Sequence, residues 1–249
     1  MAKGRKRIIQ EGVLMNYKAI FFDVGNTLLY PYPSVEKVCA EVMFRYGYSV
    51  DSGELSKAFR VADDYYLQRY EEDDSFWMDE DEAASMWEDF YELLLRETGI
   101  DGDTRLIARA IYDDFGKKDR WRIYSDVVPA FERFKDFGLK LGLISNWDGR
   151  LAALCEELDL IKYLEFVISS ANVGSIKPHP KIFELGLSKI GASPEHVIHV
   201  GDHHYADVMG AKGVGITPVL INRGSNLSSE DTDCLIIKDL FELIDSDLF

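Results

Sequence analysis

The sequence contains no apolar run approaching the roughly 18 to 20 residues that a membrane span needs. Its first residues, MAKGRKRIIQEGVLM, lack both a sustained apolar stretch and a small-residue cleavage site. The expectation is a soluble, unsecreted protein with no membrane partner. Cysteine is scarce: Cys39, Cys155 and Cys234 are widely spaced and odd in number, which argues against a disulfide frame or a zinc cluster and fits reduced thiols in the cytoplasm. Positive charge is also short, with 28 Lys and Arg against 44 Asp and Glu and a net charge of −16. A general nucleic-acid binder needs clustered cations to displace counterions from phosphates, so that class is excluded. There is no Walker sequence, no dinucleotide fingerprint after the first apolar run and no Gly-x-Ser-x-Gly elbow. Nothing in the sequence specifies an oligomeric state.

What is present is 249 residues, 47% hydrophobic and 29% charged, enough for a full core. Two textures alternate along it. Short apolar runs at 17–22 (YKAIFF), 139–145 (LKLGLIS), 165–170 (EFVISS), 196–200 (HVIHV) and 215–222 (GITPVLIN) read as buried parallel strands. Between the later runs lie amphipathic stretches, with Val127, Val128, Phe131, Phe134 and Phe137, then Leu151, Leu154 and Leu158, then Ile182, Phe183, Leu185 and Ile190. Such alternation predicts an α/β fold, a doubly wound parallel sheet covered on both faces.

The stretch 34–122 shows helical periodicity without a convincing strand, as at Met86, Phe90, Leu93 and Leu94. From Asp51 to Asp103 it holds 18 Asp and Glu against 4 Lys and Arg, a net of −14. We read it as an all-helical insertion whose Glu71-Glu72-Asp73-Asp74 run is a solvated loop. The domain reading is therefore an N-terminal basic arm over 1–15, an α/β core over 16–33 and 123–249, and the helical insertion over 34–122.

Asp23, Ser145 and Asp202 each follow an apolar strand, where an open α/β sheet binds its ligand. A Lys177-Pro178 loop lies between the last two. These residue types suit phosphoryl transfer through a carboxylate: Asp23 attacks phosphorus and forms an aspartyl-phosphate. A carboxylate and a phosphate repel, so Mg²⁺ held by Asp23, Asp202 and a backbone carbonyl is expected between them. Lys177 adds a second positive charge, and Ser145 with the backbone N–H groups after Asp23 takes the remaining phosphate oxygens. Asp207 either touches a metal-bound water or orients Lys177.

The runs Asp23-Val24-Gly25-Asn26-Thr27-Leu28, Ser145-Asn146-Trp147-Asp148, Lys177-Pro178 and Gly201-Asp202 with Asp207 resemble, in order, the four motifs of the haloacid dehalogenase (HAD) superfamily. The likeness spans Tyr17 to about Asn222 and is nearest to the branch of HDHD3-type and REG-2-like proteins. It implies a Rossmann-like core, a helical C1 cap of subfamily I over 34–122, and Mg²⁺-dependent hydrolysis of a small phosphorylated metabolite. It assigns catalysis to Asp23 and Lys177, phosphate binding to Asn26, Thr27, Ser145 and Asn146, and metal binding to Asp23, the Gly25 carbonyl, Asp202 and Asp207.

One position departs from the family. Its phosphatases carry an acid–base Asp two residues after the nucleophile, where this chain has Gly25. The alternative is thus a catalytically weak or inactive relative that binds a phospho-ligand or protein partner. Phosphonatases, which use a cap lysine, would need Lys37 or Lys57. Dehalogenases carry Tyr at this position and lack the acidic pair of the fourth motif. All five histidines lie between His179 and His204; His196 and His199 read as packing residues, while His203 and His204 are candidate replacements for the missing acid or base.

Overall fold

The computed structural model describes residues 17–224 and 233–249, so the basic arm expected over 1–15 lies outside the described residues. Six strands form one parallel sheet: β1 (Ala19–Phe22), β4 (Lys140–Ser145), β5 (Leu164–Ser169), β6 (Val197–Gly201), β7 (Thr217–Ile221) and β8 (Leu235–Ile237), in the order β5-β4-β1-β6-β7-β8. β1 lies in the interior, with Phe22 level with Leu143 of β4 and Val200 of β6. Because side chains alternate along a strand, its four apolar residues feed both faces. Ile20 and Phe22 join Phe131 and Phe134 of α5 (Val127–Asp136), Leu154 of α6 (Leu151–Glu157) and Leu240 of α10 (Leu240–Ile244). Ala19 and Phe21 join Ile182 and Phe183 of α8 (Pro180–Ile190) and Ala211 of α9 (Gly210–Gly213). Truncating a ring such as Phe22 to alanine would cost about 3 to 5 kcal/mol.

The insertion is helical, as expected: α1 (Val35–Arg45), α2 (Ser52–Glu72), α3 (Glu80–Glu97) and α4 (Thr104–Asp114) enclose a cluster of their own that includes Val42, Phe59, Phe90, Leu94 and Ile111. Its acidity has a local cause. Asp51, Asp79 and Asp103 cap the N-termini of α2, α3 and α4 by accepting backbone N–H bonds, and Glu54, Glu80, Asp81 and Glu82 stand in first turns, where the helix dipole favours a carboxylate.

Two sequence expectations are corrected. Glu71 and Glu72 belong to the last turn of α2, and only Asp73 and Asp74 form the expected loop. The insertion is also not strand-free, because Trp121 and Arg122 fall in β3 (Trp121–Ile123), which pairs antiparallel with β2 (Leu29–Pro31). Three-residue strands are too short to show alternation, and Pro31 masks β2 further. They are held by pairing across about ninety residues of chain, which no local pattern reveals. β8 is missed for the same reason of length.

Candidate active site

β4, β1 and β6 are adjacent, so their carboxyl ends bring Ser145, Asp23 and Asp202 together. The Asp23 N–H donates to the Val200 carbonyl at 2.9 Å, which continues the ladder one residue past β1 and fixes where its side chain starts. The chain then turns sharply: Leu28 N–H and Leu29 N–H both donate to the Val24 carbonyl, and Asn26 sits at φ +52°, a left-handed conformation that Asn tolerates better than most residues.

Asp23 is 7% exposed. Its Oδ1 accepts from Ser145 Oγ at 2.9 Å and from Lys177 Nζ at 2.6 Å. Lys177 Nζ also donates to Asp207 Oδ1 at 2.6 Å, and His199 Nε2 lies 2.8 Å from that same oxygen. Asp207 Oδ2 accepts from the His203 N–H at 3.0 Å. The result is a buried line from His199 through Asp207 and Lys177 to Asp23. Burial alone would lower the Lys177 ammonium, but Asp207 and Asp23 outweigh it and hold it above the ordinary lysine value. Burial likewise opposes the Asp207 carboxylate, and Lys177 and His199 together hold it well below its usual range. Of the two roles expected for Asp207, these bonds are those of a residue that orients Lys177. Gly201 makes room for it, since a Cβ at 201 would overlap the Asp207 carboxylate.

Asp202 is different. Burial and the neighbouring Asp23 and Asp207 charges push its carboxyl up to about 7. Oxygens of Asp23, Asp202 and Asp207 lie within 4.8 Å of one another. An all-oxygen donor set suits a hard divalent ion such as Mg²⁺. With both Asp207 oxygens committed to protein donors, Asp23 and Asp202 are the freer ligands.

The remaining expected residues separate into roles. Thr27 Oγ1 is 3.5 Å from Asp202 Oδ1. Asn146 turns its side chain to the Lys177 backbone, donating to the carbonyl at 3.0 Å and accepting from the N–H at 2.8 Å. Lys37 and Lys57 are exposed, and neither lines the cavity over Asp23. His203 does line it, but its Nδ1 accepts from the Ala206 N–H at 3.1 Å. That bond occupies Nδ1, so Nε2 is the ring nitrogen left for other partners.

Sequence reasoning missed two features. Arg223 donates twice to the Thr27 carbonyl and once to Asp126 Oδ1 at 2.7 Å, which pins the turn after Asp23 from behind. The second is the roof. A cavity of about 700 Å³ opens between Asp23 and the helical insertion. Aromatic rings follow one another around it: Tyr70, Tyr66, Trp87 and Tyr91, then through Phe115 to Trp121 and Trp147, with Trp121 and Trp147 centred 4.9 Å apart. Trp147 ends the series beside Gly25, 3.6 Å from where a Cβ would stand.

Fold and site together define a Rossmann-like α/β protein with a buried carboxylate–lysine centre at the carboxyl edge of its parallel sheet. The sequence profile of haloacid dehalogenase-like hydrolases matches residues 17–215, and the chain belongs to that family. It is similar to haloacid dehalogenase-like hydrolase domain-containing protein 3 of Xenopus laevis, with 31% identity over 214 residues, 84% of this chain and 85% of that one. It is also similar to glyceraldehyde 3-phosphate phosphatase of Methanopyrus kandleri, 28% identical over 220 residues, 83% of this chain and 84% of that one. Among solved structures, a HAD phosphatase from Thermococcus onnurineus aligns with a TM-score of 0.62 at 27% identity, covering 92% of this chain and 96% of the other.

Proposed function

We propose that this chain is a Mg²⁺-dependent phosphohydrolase that passes the phosphoryl group of a small phosphorylated metabolite to Asp23 and then to water. The observation that carries this is the state of Asp23: its Oδ1 is fixed by Ser145 and Lys177, which leaves Oδ2 to attack phosphorus. Mg²⁺, held by Asp23 and Asp202 with the Gly25 carbonyl, supplies charge neutralisation for the incoming phosphate. Lys177 keeps a positive charge beside Asp23 throughout, because Asp207 stabilises its ammonium from the far side. Ser145 gives its one hydroxyl proton to Asp23 and the Asn26 N–H donates to the Leu29 carbonyl, so within this turn the Thr27 N–H is the group left to take a phosphate oxygen. The segment 34–122 serves as the cap that shields the reaction from water, over a core of 16–33 and 123–249. The buried Cys39 and Cys155 thiols support a reducing, cytoplasmic setting.

Gly25 favours a second reading, in which capture of phosphate is intact and release is slow. The apolar Trp147 ring, rather than a carboxylate, stands next to position 25, so no acid–base group there assists the leaving oxygen or the attacking water. Loss of such assistance costs roughly 10²- to 10⁴-fold.

Intact-mass measurement after acid quench tests both. Wild-type protein given acetyl phosphate and Mg²⁺ is expected to gain one phosphoryl group, and Asp23→Asn none, with turnover lowered by on the order of 10⁴-fold or more. Equal labelling of the two proteins would remove Asp23 from the mechanism. Rapid loss of the label over repeated turnovers would remove the slow-release reading.

A further inference from the structure

The walls of the cavity constrain what can be attached to the phosphate. Among the described residues, the lysines and arginines lining it are Lys177 and Arg150. Lys177 is committed to Asp23 and Asp207. Arg150 holds Asp148 through Nε at 3.0 Å and Nη2 at 2.6 Å, donates Nη1 to the Tyr112 carbonyl at 2.9 Å, and lies 3.9 Å over the Tyr112 ring. Neither is available for a carboxylate or second phosphate on the substrate. Two acids, Glu36 and Asp63, stand on the exposed side of the cavity and repel such groups further. The remaining lining is mainly aromatic, with Val35, Leu67 and the His203 ring among it, and ring faces stack well on a flat apolar body.

Gly25 bears on the same question independently. With no carboxylate to protonate the departing oxygen, only a group that is stable as an anion leaves readily. A phenol has a pKa of about 10, whereas an alkoxide is about as basic as hydroxide, whose parent water has a pKa of about 15.7.

We propose that the cavity takes the phosphate monoester of a phenol, its aryl body seated among Trp147, Trp121 and Trp87 and bearing uncharged or cationic substituents toward Glu36 and Asp63. This rests on the phosphohydrolase reading above. Asp23 Oδ2 forms a bond to phosphorus while the bond from phosphorus to the aryl oxygen breaks. The electron pair leaves on the phenolate, which takes a proton from water. Water then attacks phosphorus, the pair of the Asp23–phosphoryl bond returns to the carboxylate, and the proton passes to solvent.

The experiment compares phenyl phosphate with cyclohexyl phosphate, phosphoglycolate and glyceraldehyde 3-phosphate on the full chain with Mg²⁺. Phenyl phosphate is expected to lead in kcat/KM by at least about 100-fold. Phenylphosphonate, which has no leaving oxygen, separates recognition from leaving-group chemistry. It should inhibit phosphorylation of Asp23 by acetyl phosphate about tenfold more tightly than methylphosphonate does. Trp87→Leu should raise KM for phenyl phosphate several-fold more than for acetyl phosphate; should that variant fail to fold, the inhibitor ratio on native protein decides. Equal inhibition by the two phosphonates, or a carboxylated or aldehydic substrate turned over faster than phenyl phosphate, overturns the aryl proposal while labelling of Asp23 keeps the phosphohydrolase reading intact. Absence of both labelling of Asp23 and Mg²⁺-dependent hydrolysis of acetyl phosphate overturns both.

Discussion

The two walls of the cavity are built from opposite materials. Below, polar and charged groups are sealed from solvent and each is tied to the next: His199 to Asp207, Asp207 to Lys177, Lys177 to Asp23. Above, rings contact rings, the buried Asp148 is neutralised by Arg150, and the acids Glu36 and Asp63 stand toward the outside. Hydrogen bonds have directions and ion pairs have fixed lengths, so the floor has one arrangement and one chemistry. Ring contacts are tolerant of shape, so the roof can change without disturbing the floor. In the mechanism proposed above, the sheet edge sets the reaction and the helical insertion sets what is brought to it.

The contrast is sharpest at Lys177, which is 2% exposed between two carboxylates. Lys177→Met leaves Asp23 and Asp207 buried without a counter-charge. It should cost about 3 to 5 kcal/mol in urea unfolding and also abolish phosphorylation of Asp23. A variant with wild-type stability would show that the floor is looser than its bonds imply.

Arg223→Met attacks the same wall from behind by stranding Asp126 and the Thr27 carbonyl. About 3 kcal/mol of stability should be lost. Phosphorylation by acetyl phosphate should slow roughly tenfold through misplacement of the turn after Asp23. Unchanged kinetics in a destabilised protein would limit Arg223 to a structural role.

The Asp202 carboxyl links the floor to pH. Its folded value, about 7, stands above the ordinary 3.8. In the absence of metal, its contribution to stability is therefore complete below about pH 4 and is lost as pH rises through 7. Mg²⁺ should reverse that loss, so the rise in Tm produced by Mg²⁺ should grow between pH 5.5 and 8, and Asp202→Asn should flatten the growth. Equal Mg²⁺ shifts at both pH values would refute this.

The smallest effect is expected at the outer rim of the roof. Glu36→Gln with Asp63→Asn should move stability by no more than about 0.5 kcal/mol. It should improve turnover of phosphoglycolate a few-fold at low salt and less at high salt. Improvement that persists at high salt would point to a contact rather than to field repulsion.

The floor was legible in the sequence because its residues follow apolar runs, and a strand end is a place that periodicity can locate. Asp23, Ser145 and Asp202 were found that way, and the order of strands then made them neighbours. The roof was not legible. In α3, Met86, Phe90 and Leu94 repeat at four-residue spacing, and Trp87 and Tyr91 repeat at the same spacing one position around. Period alone cannot say which stripe is filled by another helix and which faces a cavity. Arg223 was missed because its partners, Thr27 and Asp126, are about 200 and 100 residues away. The short strands β2 and β3 carry too few side chains to alternate visibly.

Six consecutive residues, starting at the last of β4, are each committed to a partner elsewhere in the fold. Ser145 bonds Asp23, Asn146 clasps the Lys177 backbone, and Trp147 borders Gly25. Asp148 accepts from Tyr112, the Gly149 N–H donates to Glu80, and Arg150 donates to the Tyr112 carbonyl. Substitution at any one of them changes one partner. Insertion or deletion of a single residue shifts all those that follow, so that Asp23, the lysine loop and the α3–α4 helices lose their alignment together. In a lineage of such proteins this stretch would be free to change its letters but not its length, and it would behave as a fixed ruler between the reaction centre and whatever helical roof a descendant carries.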